Sequence, residues 1–201
     1  MITTNTIFDF KIFPELHTER LVLRRTLLTD APAVFIFRSD PYVQRFNGPV
    51  FVDVAEAEAL IHELNDEYFN KSGICWGVTL KNENKVIGLF GIHHWNKYHR
   101  RAEVGYDLNQ SYWGQGIASE ALRAILQFGF EQMNLNRIYA GTIAENHESV
   151  QLLEAIGFER EGTRRGFSWE DDGTFHDSAM FGLLRDEFVM TPLPLGQCFA
   201  C

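Results

Sequence analysis

Cysteine is scarce in this chain of 201 residues: there are three, Cys75, Cys198 and Cys201. So few, odd in number and badly spaced, they outline neither a disulfide framework nor a zinc site, and they demand no oxidising compartment. Cys75 lies in the apolar run Ile74-Cys75-Trp76 and reads as a buried thiol. No apolar run approaches the length of a membrane span, and Met1 to Asn5 lack the basic start and apolar core of a secretory signal. A cytoplasmic protein without a membrane partner is expected. Basic residues are also short: 18 Lys and Arg stand against 27 Asp and Glu, a net charge of -9. That balance excludes non-specific nucleic-acid binding, favours solubility and mildly attracts a cationic substrate. Internal repeats and domain linkers are lacking too. With 45% apolar and 22% charged residues, the composition excludes disorder of the whole chain.

What the chain does have is pattern. Residues 20–24 alternate and are rich in branched side chains, which predicts a first strand. Thr29-Asp30-Ala31-Pro32 offers a capping side chain and a first-turn proline, predicting a helix through Val34, Phe35 and Phe37 that ends at Asp40-Pro41. Residues 42–51 read as a loop. Asp53 caps a second helix with an apolar face of Ala57, Leu60, Ile61, Leu64 and Tyr68, closed by Gly73. Strands are expected over 74–80, 86–95 and 101–108, the first two joined by a turn at 81–84. Beyond a glycine-containing turn at 109–116, a long amphipathic helix runs from Ile117 to Met133. A strand at 137–143 and a short helix from Asn146 to Ile156, closed by Gly157, come next. Strands from Phe158 onwards and over 174–184 complete the pattern. The order β-α-α-β-β-β-α-β-α-β-β implies an α/β fold, a mixed sheet with helices on both faces. One domain is expected over residues 1–188, with a flexible tail over 189–201.

Tyr112-Trp113-Gly114-Gln115-Gly116-Ile117-Ala118-Ser119-Glu120 is the most informative segment. It joins a strand to the start of the long helix. The first N–H groups of a helix have no internal partner, and the helix dipole adds positive charge there. Glycines at 114 and 116 let a bulky anion approach the main chain. Together they make a phosphate cradle, although neither the GxxxxGK nucleotide loop nor the GxGxxG dinucleotide turn is present.

The run Trp113-Gly114-Gln115-Gly116-Ile117-Ala118 resembles the acyl-CoA-binding motif of the GNAT acetyltransferase superfamily, Gln/Arg-x-x-Gly-x-Gly/Ala. Trp at the first position departs from that pattern as the RimJ/RimL branch does, where Tyr-Trp-Gly-x-Gly-x-Ala recurs. Three further pieces resemble the branch in the right order: Phe13 to Leu21 with its Thr18-Glu19-Arg20-Leu21, Ala102-Glu103-Val104-Gly105-Tyr106, and Asn146-His147-Glu148-Ser149 ahead of Gly157-Phe158. The resemblance covers roughly residues 13–188. It implies a GNAT-type fold with a mostly antiparallel sheet of about seven strands, splayed between the fourth and fifth. It implies acetyl-CoA as co-substrate, with the pyrophosphate on the main chain of Gln115, Gly116, Ile117, Ala118 and Ser119. Main chain at Leu108 and Asn109 would pair with the pantetheine arm and polarise the thioester, and Asn146 would hold the arm from the other side. Asn146 also reads as a helix cap.

Transfer to an amine needs a neutral nucleophile, a donor for the oxyanion and a proton for the departing thiolate. Glu103, facing opposite to Ala102 and Val104 on a strand beside the cleft, is the first candidate for the base; the ordinary reading is a surface carboxylate beside Arg100 and Arg101. Glu170, or Ser168 in a shifted alignment, is another candidate, against an ordinary acidic turn. Ser149 could protonate the thiolate, as the resemblance implies, or simply bond back to its own helix. The helix after Asn146 contains no tyrosine to serve as the acid. His93, His94 and His99 suggest no metal, because adjacent strand residues point to opposite faces and no ligand spacing completes a site.

The leading expectation is acetyl transfer to a primary amine by direct attack on the thioester, the acceptor being the N-terminal amine of a protein, with ribosomal proteins among the candidates. A small amine, polyamine or aminoglycoside-like, is the close alternative. A non-catalytic acyl-CoA-binding module is the alternative from another class. A nucleotide-binding protein is disfavoured, since no Lys follows the glycines. The segments 40–52 and 167–175, with Asp40 and the acidic stretch 170–172, are expected to shape the acceptor pocket. A monomer or homodimer is compatible with the sequence.

Overall fold

A computed structural model of the chain describes residues 8–170 and 173–189. Its strands are β1 (Leu16–His17), β2 (Leu21–Arg24), β3 (Ile74–Leu80), β4 (Val86–Asn96), β5 (Arg101–Leu108), β6 (Arg137–Ile143), β7 (Glu159–Trp169) and β8 (Phe175–Leu184). Its α-helices are α1 (Ala31–Arg38), α2 (Pro41–Gln44), α3 (Val54–Phe69), α4 (Ile117–Glu131) and α5 (His147–Ile156). The strands form one eight-stranded sheet in the order β1-β2-β3-β4-β5-β6-β8-β7. Every neighbouring pair is antiparallel except β5 and β6, which run parallel. The sheet has one strand more than expected, the two-residue β1.

Strand alternation sends successive side chains to opposite faces, and the two faces bury separate cores. On one face Trp76, Phe90 and Leu23 pack with Leu122, Ile125 and Phe128 of α4 and with Leu153 and Ile156 of α5. On the other Cys75, Val86 and Leu89 pack with Val34 and Phe37 of α1 and Ala57 and Ile61 of α3. Each large side chain so buried contributes about 1.5–3 kcal/mol. The helices therefore cover both faces, as the element order implies.

Local rules account for most element ends. Asp53 accepts from Ala55 N–H at 3.0 Å while Glu56 accepts from Asp53 N–H at 3.0 Å, so α3 begins with two donors satisfied reciprocally. Gly157, at φ 114, closes α5 in the left-handed conformation. Four expectations are corrected. Asp30 does not cap α1; its carboxylate is held by both Arg24 Nη atoms at 2.8 Å and by Leu27 N–H. The segment after Asp40 is not all loop, because Asp40 accepts from Tyr42 N–H and Pro41 occupies a first-turn position of α2. Lys71, at φ 58, makes the left-handed turn after α3, whereas Gly73 is needed because a Cβ there would meet Ile92 O at 2.8 Å. Helix α4 stops at Glu131, two residues short of Met133, which is buried beyond it.

The feature that positions the site is a wedge in the sheet. β5 and β6 pair only from Arg101↔Arg137 to Glu103↔Tyr139. Beyond those residues β5 continues to Leu108 on its pairing with β4, and β6 to Ile143 on its pairing with β8. Their facing edges part, as the expected splay requires. The expected tail lies outside the described residues apart from Val189, as do Cys198 and Cys201. Among the described residues no helix is long and apolar enough to cross a membrane.

Candidate active site

A cavity of about 870 Å³ occupies the wedge. Residues of β5, β6, the turn before α4, the start of α5, α1, α3 and β4 line it.

The turn before α4 is built for close approach. Gly114 and Gly116 sit at φ 70 and 75, a region that favours glycine, and α4 starts on Gly116 with no side-chain cap. The first intrahelical bond is from Glu120 N–H to Gly116 O at 3.0 Å. The N–H groups of Ile117, Ala118 and Ser119 thus lie ahead of the ladder, and all three residues line the cavity. A Cβ on Gly114 would meet nothing within 4 Å. The cradle is open, uncapped and carries the positive end of the helix dipole, which fits a pyrophosphate.

Two motifs hold this turn in place. Glu120, in the first turn of α4, accepts from Thr18 Oγ1 at 2.5 Å, Arg20 N–H at 2.8 Å and Arg20 Nε at 2.6 Å. Burial pushes the Glu120 carboxyl up, but these donors outweigh it and hold it below its ordinary value. Arg20 Nη1 also donates to Gln115 O at 2.8 Å, and its Nη2 would stand 3.4 Å from a Cβ on Gly116. The Thr18-Glu19-Arg20 motif therefore clamps the cradle and sets a guanidinium beside it, a role that strand reading of 20–24 alone did not suggest. Trp113 Nε1 donates to Leu108 O at 2.8 Å, tying the turn to the end of β5.

Of the residues singled out by sequence, Leu108, Gly116, Ile117, Ala118, Ser119, Asn146 and Ser149 all line the cavity. Glu103, Asn109 and Gln115 do not. Asn109 N–H donates to Ile87 O at 2.9 Å, and Leu108 O is taken by Trp113, so these main-chain groups are committed within the chain. The open edge of β5 lies just before them. Glu103 stands opposite His93 in the β4–β5 register and 3.8 Å from His94 Nε2. Asn146 accepts from Ser149 N–H at 3.1 Å and caps α5.

Ser149 has a partner that the sequence did not reveal. Tyr106, on β5, brings its hydroxyl to 2.7 Å from Ser149 Oγ. Its ring stacks on Phe90 with centroids 5.6 Å apart. Burial pushes the Tyr106 hydroxyl up to about 12. A tyrosine thus stands at the serine after all, supplied by the neighbouring strand rather than by the helix, and only the tertiary fold brings the two together.

Acidic and polar groups also line the cavity: Glu63 and Glu67 of α3, His93 and His94 of β4 and Asp107 of β5. Asp107 is buried, which pushes its carboxyl up; Arg38 at 2.5 Å and Asn47 Nδ2 at 2.6 Å oppose that shift. Glu67 Oε2 lies 2.7 Å from His93 Nδ1, and that hydrogen bond holds the Glu67 carboxyl below its ordinary value. The two histidines do not point to opposite faces. His94 has φ 51 and the β4–β5 register shifts between His93 and Asn96, so a bulge breaks the alternation and both residues reach the cavity. Among the described residues no group of three or more His, Cys, Asp or Glu could hold a metal ion. Segment 40–52 contributes Tyr42, Val43, Arg45, Phe46 and Asn47 to the cavity. Glu170 instead lines an adjacent hollow of about 310 Å³ with Arg45, Phe46 and His176; residues 171 and 172 lie outside the described ones.

A splayed mixed sheet with an uncapped glycine turn facing the gap defines an acyl-CoA-dependent transferase, and known proteins place it further. Residues 20–159 match the family model described as an acetyltransferase (GNAT) domain, and the chain belongs to that family. It is 37% identical over 175 residues to the uncharacterized N-acetyltransferase p20 of Bacillus licheniformis, covering 87% of this chain and 98% of that protein. It is 32% identical over 80 residues, 40% of this chain and 43% of the relative, to the spermidine N(1)-acetyltransferase of Escherichia coli K12. The ribosomal-protein-S5-alanine acetyltransferase of Vibrio fischeri shares the fold, with a TM-score of 0.77 at 22% identity over 89% of this chain and all of that one. The protein is an acetyl-CoA-dependent N-acetyltransferase.

Proposed function

We propose that this enzyme acetylates the N-terminal amine of a protein or peptide, as expected of the RimJ/RimL-like branch. The observation that carries the reading is one cavity whose lining includes both the uncapped turn and the side chains of Glu63, Glu67, His93 and His94. The turn would hold the pyrophosphate, and these carboxylates and imidazoles a cationic amine. Such groups match an N-terminal amine, whose pKa is near ~7.7–8.0, better than a lysine-like amine near ~10.4.

On this reading the pyrophosphate rests on the main chain of residues 115–119, with Arg20 beside it. The pantetheine arm lies in the wedge between the open edge of β5, just before Leu108 and Asn109, and α5, where Asn146 stands. Ser149 supplies the proton to the departing thiolate. Acetyl-CoA serves as co-substrate, and no metal takes part.

The test pairs cofactor binding with acceptor choice. Calorimetry should show acetyl-CoA binding to the protein and its loss in Gly116→Glu, whose carboxylate repels the pyrophosphate. Acetyl-CoA is then offered with a lysine-containing tetrapeptide, free or blocked at its N-terminus, and with spermidine. Mass spectrometry should find one acetyl group on the α-amine of the free peptide only. Spermidine as the better acceptor would replace the protein N-terminus with a small amine. Binding without turnover of any amine would leave an acyl-CoA-binding module.

A further inference from the structure

The bulge at His94 leaves His93 in a particular seat. Its ring covers Gly91 and Gly105, which are register partners on β4 and β5. A Cβ at Gly91 would meet His93 Nε2 at 2.4 Å, and one at Gly105 would stand 3.5 Å from Cδ2 and 3.7 Å from Nε2. Two facing glycines thus leave the space that the imidazole fills, directly over β5, the strand whose other edge opens into the wedge. A side chain at either position would lift the ring away.

The other ring nitrogen is held. Nδ1 lies 2.7 Å from Glu67 Oε2. A carboxylate kept ionised can only accept, so Nδ1 donates and the neutral ring carries its lone pair at Nε2. Nε2 makes no hydrogen bond among the described residues, and His93 lines the cavity with its side chain 22% exposed. The charged and titratable groups around it come from every neighbouring element. Glu67 of α3 bonds the ring, and Glu63 of α3, His94 of β4 and Arg38 of α1 line the same cavity. Asp107 of β5 is engaged by Arg38 and Asn47, and Glu103 of β5 stands nearest His94. Cys75 of β3 is buried, which pushes its thiol up and keeps it protonated. Among these groups His93 alone joins an imidazole to a fixed orientation and a ring nitrogen without a hydrogen-bond partner among the described residues.

We propose that His93 is the general base of acetyl transfer, held in its Nδ1-H tautomer by Glu67, and that Glu67 is its positioning residue. The amine lone pair attacks the thioester carbonyl carbon. The proton leaves the attacking nitrogen for Nε2, the C–N bond forms, and collapse of the tetrahedral intermediate breaks the C–S bond. The thiolate takes a proton from Ser149, which is reprotonated from solvent, and His93 returns its proton to solvent. Net, one proton passes from nitrogen to sulfur. This inference rests on acetyl transfer to an amine and not on which amine is used.

The test uses His93→Asn, whose side-chain amide can still donate to Glu67 while Nε2 is gone. Acetyl-CoA binding by calorimetry comes first; failure of the intact protein to bind would sink the transferase assignment itself, not this inference alone. With binding intact, the free-N-terminus tetrapeptide and spermidine serve as acceptor probes. His93→Asn should bind acetyl-CoA as the parent does and lose about 100-fold in kcat at pH 7. The deficit should shrink as pH rises and hydroxide takes the proton from the attacking nitrogen in place of the imidazole, a change that a purely structural role would not produce. Glu67→Gln should lower kcat less, with KM for acetyl-CoA unchanged. Nitrogen NMR of the free protein reads the ring directly, whether or not either probe is turned over: the neutral form of His93 should carry its proton on Nδ1. A proton on Nε2, an unchanged kcat in His93→Asn, or loss of the acidic limb of the pH profile in Glu103→Gln but not in His93→Asn would overturn the proposal.

Discussion

Tyr106 and Ser149 come from different elements, yet their hydroxyls meet at 2.7 Å. Because burial raises the Tyr106 hydroxyl to about 12, it stays protonated throughout the neutral range. The sign is that of a raised folded-state value: the associated stability is present below the ordinary value of 10.0 and is lost only as pH rises through about 12. A protonated Tyr106 can donate to Ser149 and leave the serine proton free for a departing thiolate. Tyr106→Phe removes one neutral hydrogen bond, about 0.5–1.5 kcal/mol, so kcat should fall by about tenfold at most. The calorimetric Kd for acetyl-CoA should not change. Equal kcat in the two proteins would make the contact structural only. No periodicity within either segment could have exposed this pair, since the contact exists only once β5 and α5 lie side by side. The same holds for Glu67 and His93, where a positive φ at His94 also defeated the alternation on which strand reading depends.

At the scale of elements, α4 was the most legible part, because its stripe of apolar residues and its two left-handed glycines are both local signals. Asn146 and Gly157 likewise marked the two ends of α5 by their residue types. Less legible was what fixes α4 against the sheet. Glu120 reads as an ordinary first-turn acid, yet it gathers three donors from residues 18 and 20. Arg20 is partly exposed, so the clamp is screened and contributes about 1 kcal/mol. For a chain of this size, Glu120→Ala should lower Tm by about 2–4 °C. It should weaken acetyl-CoA binding as well, because the turn and Arg20 are released together. A lower Tm with unaltered affinity would separate the clamp from the cradle. The short α2 was missed because four residues carry no helical period, and only its Asp-Pro start could have signalled it.

The whole molecule is a sheet with cores on both faces and one weak join. Composition and element order were enough for the architecture, whereas the place where the sheet parts came from the family resemblance alone, because a parallel pair that ends after three residues leaves no mark in either strand's sequence. Amide exchange should show this directly. Residues 104–107 and 140–143 should lose part of their protection in the free protein relative to 101–103 and 137–139, and regain it when coenzyme A is bound. Uniform protection in both states would contradict the open join. The deeper consequence is mechanical. β1 to β5 and β6 to β8 are two plates riveted at one end, and on the proposed binding mode the co-substrate arm would fill the length of seam left unsewn. Each turnover would then close and reopen that seam, so the spent thiol would leave only as fast as the plates let it go.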